Sequence, residues 1–264
     1  DLVLLAFSPN NDIQTNYEPL QSLYQKNQRR PFATLDTAGR LQIDMRHVPR
    51  EVERRKKLAQ RGLVKRFFQN SVVLRLLGTA RNKYLRADAV DPNVFLGWPH
   101  LAEFDETLGL DGRTKVDYEK LWGEAWAVTQ ALIREIQRES QAMGARFGLF
   151  VCTSMLQGDA GAQARVREAF PGMKLDLGKI DRELERFANE IGAPFIPILP
   201  AFEAAPKNSA EPLFYQFQDE HWTPAGSRLV AEALARGLRE KKLLPGDSTA
   251  LIDGTARPRA ASSD

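Results

Sequence analysis

The stretch DLVLLAFSPNND, residues 1–12, joins a continuous apolar run to a polar turn. A strand with one wet face alternates apolar and polar positions, whereas a strand covered on both faces stays apolar throughout. Residues 2–7 therefore read as a strand buried on both faces, as in a parallel sheet. Residues 8–12 read as the turn at its carboxyl end. A core strand needs neighbours on both edges, so further strands of the same sheet are expected to precede residue 1.

The same pattern recurs twice. RFGLFVCT (146–153) and PFIPIL (194–199) are apolar runs of strand length, and helical periods lie around them. Residues 117–142 carry Trp122, Trp126, Leu132, Ile133 and Ile136 in or near one stripe, with Gly144 as a stop. Residues 160–170 and 178–191 read as helices ended by Pro171-Gly172 and by Gly192. Residues 223–241 read as the last helix, with Thr223 as N-cap and Pro224 in the first turn. Strand and helix alternating in this way predict an α/β fold: a three-layer α/β/α sandwich around a parallel, flavodoxin-like sheet with right-handed crossovers. Three strands are fewer than such a sheet normally has, which agrees with N-terminal strands being missing.

The remaining chain is less regular. Residues 13–44 are expected to be irregular, apart from a hairpin in FATLDTAGRLQID around Ala38-Gly39. Residues 48–77 have helical period, interrupted at Gly62. Residues 88–116 look like loop, and 245–264 like a flexible C-terminal tail. One domain is thus expected over 1–244, with a basic helical insertion at about 45–86. That insertion holds Arg46, Arg50, Arg54, Arg55, Lys56, Lys57 and seven further basic residues up to Arg86, against only Glu51 and Glu53. Such a segment is either a solvated helical face packed on the domain, the simpler reading, or a surface for an anionic polysaccharide or a membrane.

Composition removes several classes. Across 264 residues the net charge is only +3, and no nucleic-acid-binding motif accompanies the basic segment, so nucleic acid is not an expected partner. One Cys excludes an internal disulfide framework and a four-Cys zinc site. The three histidines, His47, His100 and His221, do not suggest a convergent metal site, and no metal or other cofactor is expected.

In doubly wound sheets, sites form beyond the carboxyl ends of strands. Asn10, Asn11 and Asp12 follow the first strand. Asp219, Glu220 and His221 follow the third and precede the last helix. A side-chain amide can donate to an oxyanion, and a histidine held by a carboxylate can act as general base toward a hydroxyl. Asn11 could equally be a turn residue, and His221 a histidine at a helix entry. Cys152 reads as a small core residue. Ser8 and Ser154 lie near strand ends without a nucleophile-elbow signature.

DLVLLAFSPNND and FQDEHWTPAGSRLVAEAL together resemble the SGNH hydrolases, the GDSL-type esterase and lipase family. WAVTQALIREI, GARFGLFV and DLGKIDRELERFANEIGAPFIPILPAF resemble a bacterial branch of it. The resemblance spans 1–12 and 117–240, with 13–116 as a branch-specific insertion. It implies that Asn11 helps build the oxyanion hole and that Asp219 and His221 belong to a catalytic triad. It implies acyl-ester or carbohydrate-ester hydrolysis through an acyl-enzyme, or else O-acyl transfer to an envelope polysaccharide with the same triad; a non-catalytic binding module is the third reading. It further implies a cell-envelope or periplasmic protein, anchored by a missing N-terminal segment. Several features depart from the family pattern. The nucleophile motif Gly-Asp-Ser does not follow the first strand; its one occurrence, Gly246-Asp247-Ser248, is in the tail and reads as coincidence. The Gly expected after the second strand is absent, Asn10 replaces the Gly before the Asn-Asp pair, and one residue separates Asp219 from His221. The nucleophilic Ser is therefore expected upstream, and these 264 residues alone are expected to be inactive.

Overall fold

A computed structural model of the chain describes residues 1–9, 11–24, 30–46, 48–49, 52–53, 102–103, 118–169, 174–206, 211–215 and 221–244. β1 (Leu2–Phe7) is followed by a 3-10 turn (Gln14–Asn16) and α1 (Glu18–Tyr24). β2 (Phe32–Leu35), β3 (Leu41–Asp44) and β4 (Ala102–Glu103) come next. Then follow α2 (Tyr118–Ala142), β5 (Arg146–Val151), α3 (Met155–Gly158), α4 (Ala160–Ala169), β6 (Lys174–Leu175), α5 (Lys179–Glu190), α6 (Leu199–Ala204) and α7 (Pro224–Glu240).

β1 and β5 pair in parallel, from Leu2 opposite Arg146 to Phe7 opposite Val151. Because side chains alternate along a strand, the pair sorts its residues onto two faces. Val3, Leu5, Phe7, Phe147, Leu149 and Val151 join a cluster with Trp122, Ala125 and Ile133 of α2 and Ile180, Leu184 and Phe187 of α5. Leu2, Leu4, Phe150 and Cys152 join the other cluster, with Phe202 of α6 and Val230 and Ala233 of α7. Helices thus cover both faces of a parallel pair, which is an α/β arrangement. β5 is buried from Phe147 to Val151, as its apolar run predicts, whereas β1 is only half-buried from Leu2 to Leu5 and exposed at Ala6, so the expected burial of β1 on both faces is not met.

The third apolar run gives one bridging residue rather than a full strand. Phe195 bridges Leu149 in parallel, with Leu149 N–H donating to the Pro194 carbonyl at 3.0 Å and Ile196 N–H to the Leu149 carbonyl at 2.9 Å. Pro197 has no N–H to carry the ladder further, and α6 begins at Leu199. β5 likewise ends at Val151 rather than at 153, although Cys152 N–H still donates to the Phe7 carbonyl at 2.7 Å. The expected hairpin is present: β2 and β3 are antiparallel, and Gly39 takes φ 74° in the turn. Residues 13–44 are otherwise more regular than expected, since they hold the 3-10 turn and α1. Within 88–116, Ala102–Glu103 pairs antiparallel with Lys174–Leu175 instead of being loop. The helical pattern over 48–77 and the tail 245–264 lie outside the described residues, apart from 48–49 and 52–53. Among the described residues no helix is long and apolar enough to cross a membrane.

α7 is anchored at its start. Thr223 caps it by accepting from Gly226 N–H, and Pro224 occupies the first turn. A Cβ on Gly226 would stand 2.1 Å from the Leu213 carbonyl oxygen, so only glycine fits against that backbone. Gly226→Ala is expected to cost about 2 kcal/mol or more through that overlap. Gly123→Ala in α2, where the new Cβ meets nothing within 4 Å, is expected to gain about 0.5–1 kcal/mol from helix propensity. Urea denaturation of the two variants checks both signs.

Candidate active site

The register of β1 and β5 brings their carboxyl ends side by side. The turn after β1 is closed reciprocally. Asp12 N–H donates to the Ser8 carbonyl at 3.0 Å, and Ser8 N–H donates back to Asp12 Oδ2 at 2.7 Å. Asn11 sits inside this closure, with its N–H on the Ser8 carbonyl at 3.4 Å and its carbonyl taking Thr15 N–H at 2.9 Å. The Asn11 residue is exposed, whereas Asp12 is half-buried. Burial raises the Asp12 carboxyl above its usual range, against the opposing pull of the Ser8 N–H.

Residues 152–154 leave the neighbouring strand end. Burial, with help from the charge of Asp12, pushes the Cys152 thiol up to about 11. Cys152 therefore stays a thiol near neutral pH. The Ser154 hydroxyl is buried in a capping box: it accepts from Gln157 N–H at the start of α3, and Gln157 Oε1 takes Ser154 N–H at 3.1 Å. That geometry does not free Ser154 to attack a substrate.

The segment before α7 folds back on itself. Phe214 bridges Trp222 antiparallel, Tyr215 N–H donates to the His221 carbonyl at 2.9 Å and Thr223 N–H to the Leu213 carbonyl at 3.0 Å. Trp222 then pins this segment to the sheet: its indole Nε1–H donates to the Thr153 carbonyl at 2.9 Å. Its ring lies 6.3 Å from that of Phe202, which lies 5.2 Å from Phe214. The exposed His221 is therefore carried on an aromatic platform tied to the end of β5. Asn11 and His221 both occupy segments fixed at the carboxyl ends of adjacent strands. Asp219 lies outside the described residues.

Three features here were not assigned a role from the sequence: Asp12, the Trp222 anchor and a buried polar network. Gln157 Nε2 donates to the Leu177 carbonyl at 2.9 Å and to Asp181 Oδ2 at 2.8 Å. Burial, reinforced by the charge of Glu203, pushes the Asp181 carboxyl up to about 6 despite the Gln157 bond and nearby Arg182. Its Oδ1 is buried without a hydrogen bond. The Ser154-x-x-Gln157 spacing of the capping box was the signal for this network.

Helices on both sides of a parallel strand pair define an α/β arrangement, and comparison with protein families supplies the family. The family described as SGNH hydrolase-like domain, acetyltransferase AlgX matches residues 123–261, and the chain belongs to that family. The match includes His221 and Trp222 and begins after β1 and Asn11. Neither the curated proteins nor the solved structures contain a match.

Trp222→Phe keeps the ring and removes the indole donor. It is expected to cost about 1 kcal/mol and to speed hydrogen exchange at the Tyr215 and Thr223 amides, as NMR would detect. Asp181 gives a pH dependence. In the folded protein burial holds its carboxyl at about 6, well above the usual carboxylate range. Its contribution to stability is therefore fully present below pH about 4, lost as pH rises through about 6, and absent above. Asp181→Asn is expected to be about 2 kcal/mol more stable than the parent at pH 7 and similar to it at pH 4, as urea denaturation at the two values will test.

Proposed function

We propose that the protein is an O-acyltransferase, transferring an acetyl-sized acyl group through an acyl-enzyme to a hydroxyl of an envelope polysaccharide. The observation that carries this reading is the match to an acetyltransferase domain over the segment in which Trp222 ties His221 to the end of β5. In this reading the sheet continues beyond β1 into a full three-layer sandwich, and the nucleophile is a serine outside the described residues. His221 takes the proton from the serine hydroxyl as the serine oxygen bonds to the acyl carbon of the donor. Asp219 holds the imidazole in the required tautomer. The Asn11 side-chain amide donates to the developing oxyanion. The donor's leaving oxygen departs with the proton from His221. A sugar hydroxyl then gives its proton to His221, attacks the acyl-serine, and the serine oxygen leaves and is reprotonated.

Hydrolysis differs from this only in that water replaces the sugar hydroxyl. Transfer is preferred because the matched family is described as an acetyltransferase. The exposed ring of Tyr215, whose backbone pairs with that of His221, offers a face on which an acceptor sugar can stack. We place the protein at the cell envelope, where acylated polysaccharide occurs, and the basic stretch 46–86 against an anionic polysaccharide or membrane surface.

The test uses the full-length protein with p-nitrophenyl acetate as donor, with and without an oligosaccharide acceptor. Acetylated sugar detected by mass spectrometry, with nitrophenolate release faster when acceptor is present, is the expected result. His221→Ala should reduce turnover by about 10⁴-fold or more, and Asp219→Asn by less. Acetate as the sole product in the presence of acceptor would make the protein an esterase. Turnover absent from the parent protein would favour a binding module.

A further inference from the structure

Asp12 is a half-buried carboxylate at the sheet rim, and among the described residues it makes no ion pair. A half-buried carboxylate without a countercharge is costly and relies on hydrogen bonds to offset its desolvation. Its bonds are specific. Oδ2 takes Ser8 N–H at 2.7 Å while its own N–H returns to the Ser8 carbonyl at 3.0 Å. Its carbonyl accepts from the Asn16 side-chain amide. The closure resembles one half of a capping box, since the Asp12 carboxylate takes the Ser8 N–H, but the return bond goes to the Ser8 backbone carbonyl rather than to its side chain. Asn11 is the residue enclosed by it, with N–H and carbonyl both engaged, so the direction in which the Asn11 side chain leaves the rim follows from the closure.

We propose that Asp12 is a positioning residue for acyl transfer: through the Ser8 N–H it locks the 8–12 turn and thereby aims the Asn11 amide at the oxyanion. The proposal rests on the reading of Asn11 as an oxyanion donor. Preorganised donors are effective because they do not reorient during the reaction, and a turn free to rearrange would forfeit that. Burial supports the assignment, since it raises the carboxyl while the Ser8 bond opposes the shift. Cys152 N–H donates to the Phe7 carbonyl at 2.7 Å, so the turn held by Asp12 starts beside the neighbouring strand end.

The experiment is a double-mutant cycle on kcat in the full-length protein, with p-nitrophenyl acetate as donor. Asn11→Ala is expected to lower kcat by about 10²-fold or more. Asp12→Ala should lower it by about 10-fold with KM nearly unchanged, whereas Asp12→Asn, which retains an acceptor oxygen, should stay within about 3-fold of the parent. In the Asn11→Ala background, Asp12→Ala should have less than about 2-fold effect, because the group it positions is gone. A purely structural role would instead give equal losses in both backgrounds, and that result would overturn the proposal. So would an Asp12→Ala protein that is unfolded by circular dichroism, or an Asp12→Asn protein as impaired as Asp12→Ala. Parent-like kcat in Asn11→Ala alongside an inactive His221→Ala would overturn it by removing Asn11 from the site while leaving the enzymatic reading intact. Parent-like kcat in His221→Ala would show that the enzymatic reading itself had failed.

Discussion

The parallel ladder between β1 and β5 runs from Leu2 and Arg146 to Phe7 and Val151, and the Cys152 N–H carries it one step further onto the Phe7 carbonyl. Strand side chains alternate between faces, so a slip of one residue would exchange the contents of both faces. If β1 slipped by one residue, Phe7 would leave the cluster formed with α2 and α5, and Leu4 would leave the one formed with α6 and α7. The register is thus specified from two sides at once. The strand ends are specified with it, because Phe7 and Val151 finish level with each other. Every group discussed at the rim hangs from one of those two ends.

What hangs there is not regular structure. Among the described residues, the turn after β1 and residues 211–215 and 221–223 have few ladder bonds of their own and are held by individual contacts. These are the reciprocal pair of Ser8 and Asp12, the indole of Trp222 on the Thr153 carbonyl, and the Thr223 hydroxyl on the Pro212 carbonyl at 2.6 Å. A single bond of this kind is worth only about 1 kcal/mol. The aromatic packing of Phe202, Phe214 and Trp222 adds the larger share at one end of the rim. Among its described residues the turn after β1 has no such platform and depends on polar closure, in which the half-buried Asp12 carboxylate takes part.

Legibility in the sequence followed the strength of the hydrophobic signal. β5 and the long α2 were readable because burial on both faces, or along one stripe, leaves an unbroken pattern; β1 was readable from its apolar run alone, although it is mostly half-buried. The end of α2 and the end of α5 were readable from Gly144 and Gly192, which take φ of 75° and 66°. The third strand was overextended because an apolar run does not reveal that Pro197 cannot donate. α1 and the β4–β6 pair were missed since a seven-residue helix and a two-residue ladder carry almost no periodicity. At the candidate site, residue types were legible and roles less so. His221 and Asn11 stand out by position after strands, whereas the part played by Asp12 depends on a bond to the Ser8 backbone, which no spacing encodes.

Under the acyl-transfer reading, the exposure of His221 bears on how water is kept from competing. A base that was sealed off could exclude water by burial, but this one stands in the open on its platform. Partition between sugar and water must then come from how well the acceptor hydroxyl is held against the acyl-serine. Holding a nucleophile in place can give effective molarities of about 10⁵ M or more, far above any free solute. Selectivity would accordingly reside in surfaces that grip the acceptor, such as the face of Tyr215, rather than in the triad. The same scaffold could serve hydrolysis or transfer according to what surrounds that rim, so an SGNH hydrolase-like fold alone does not decide between the two.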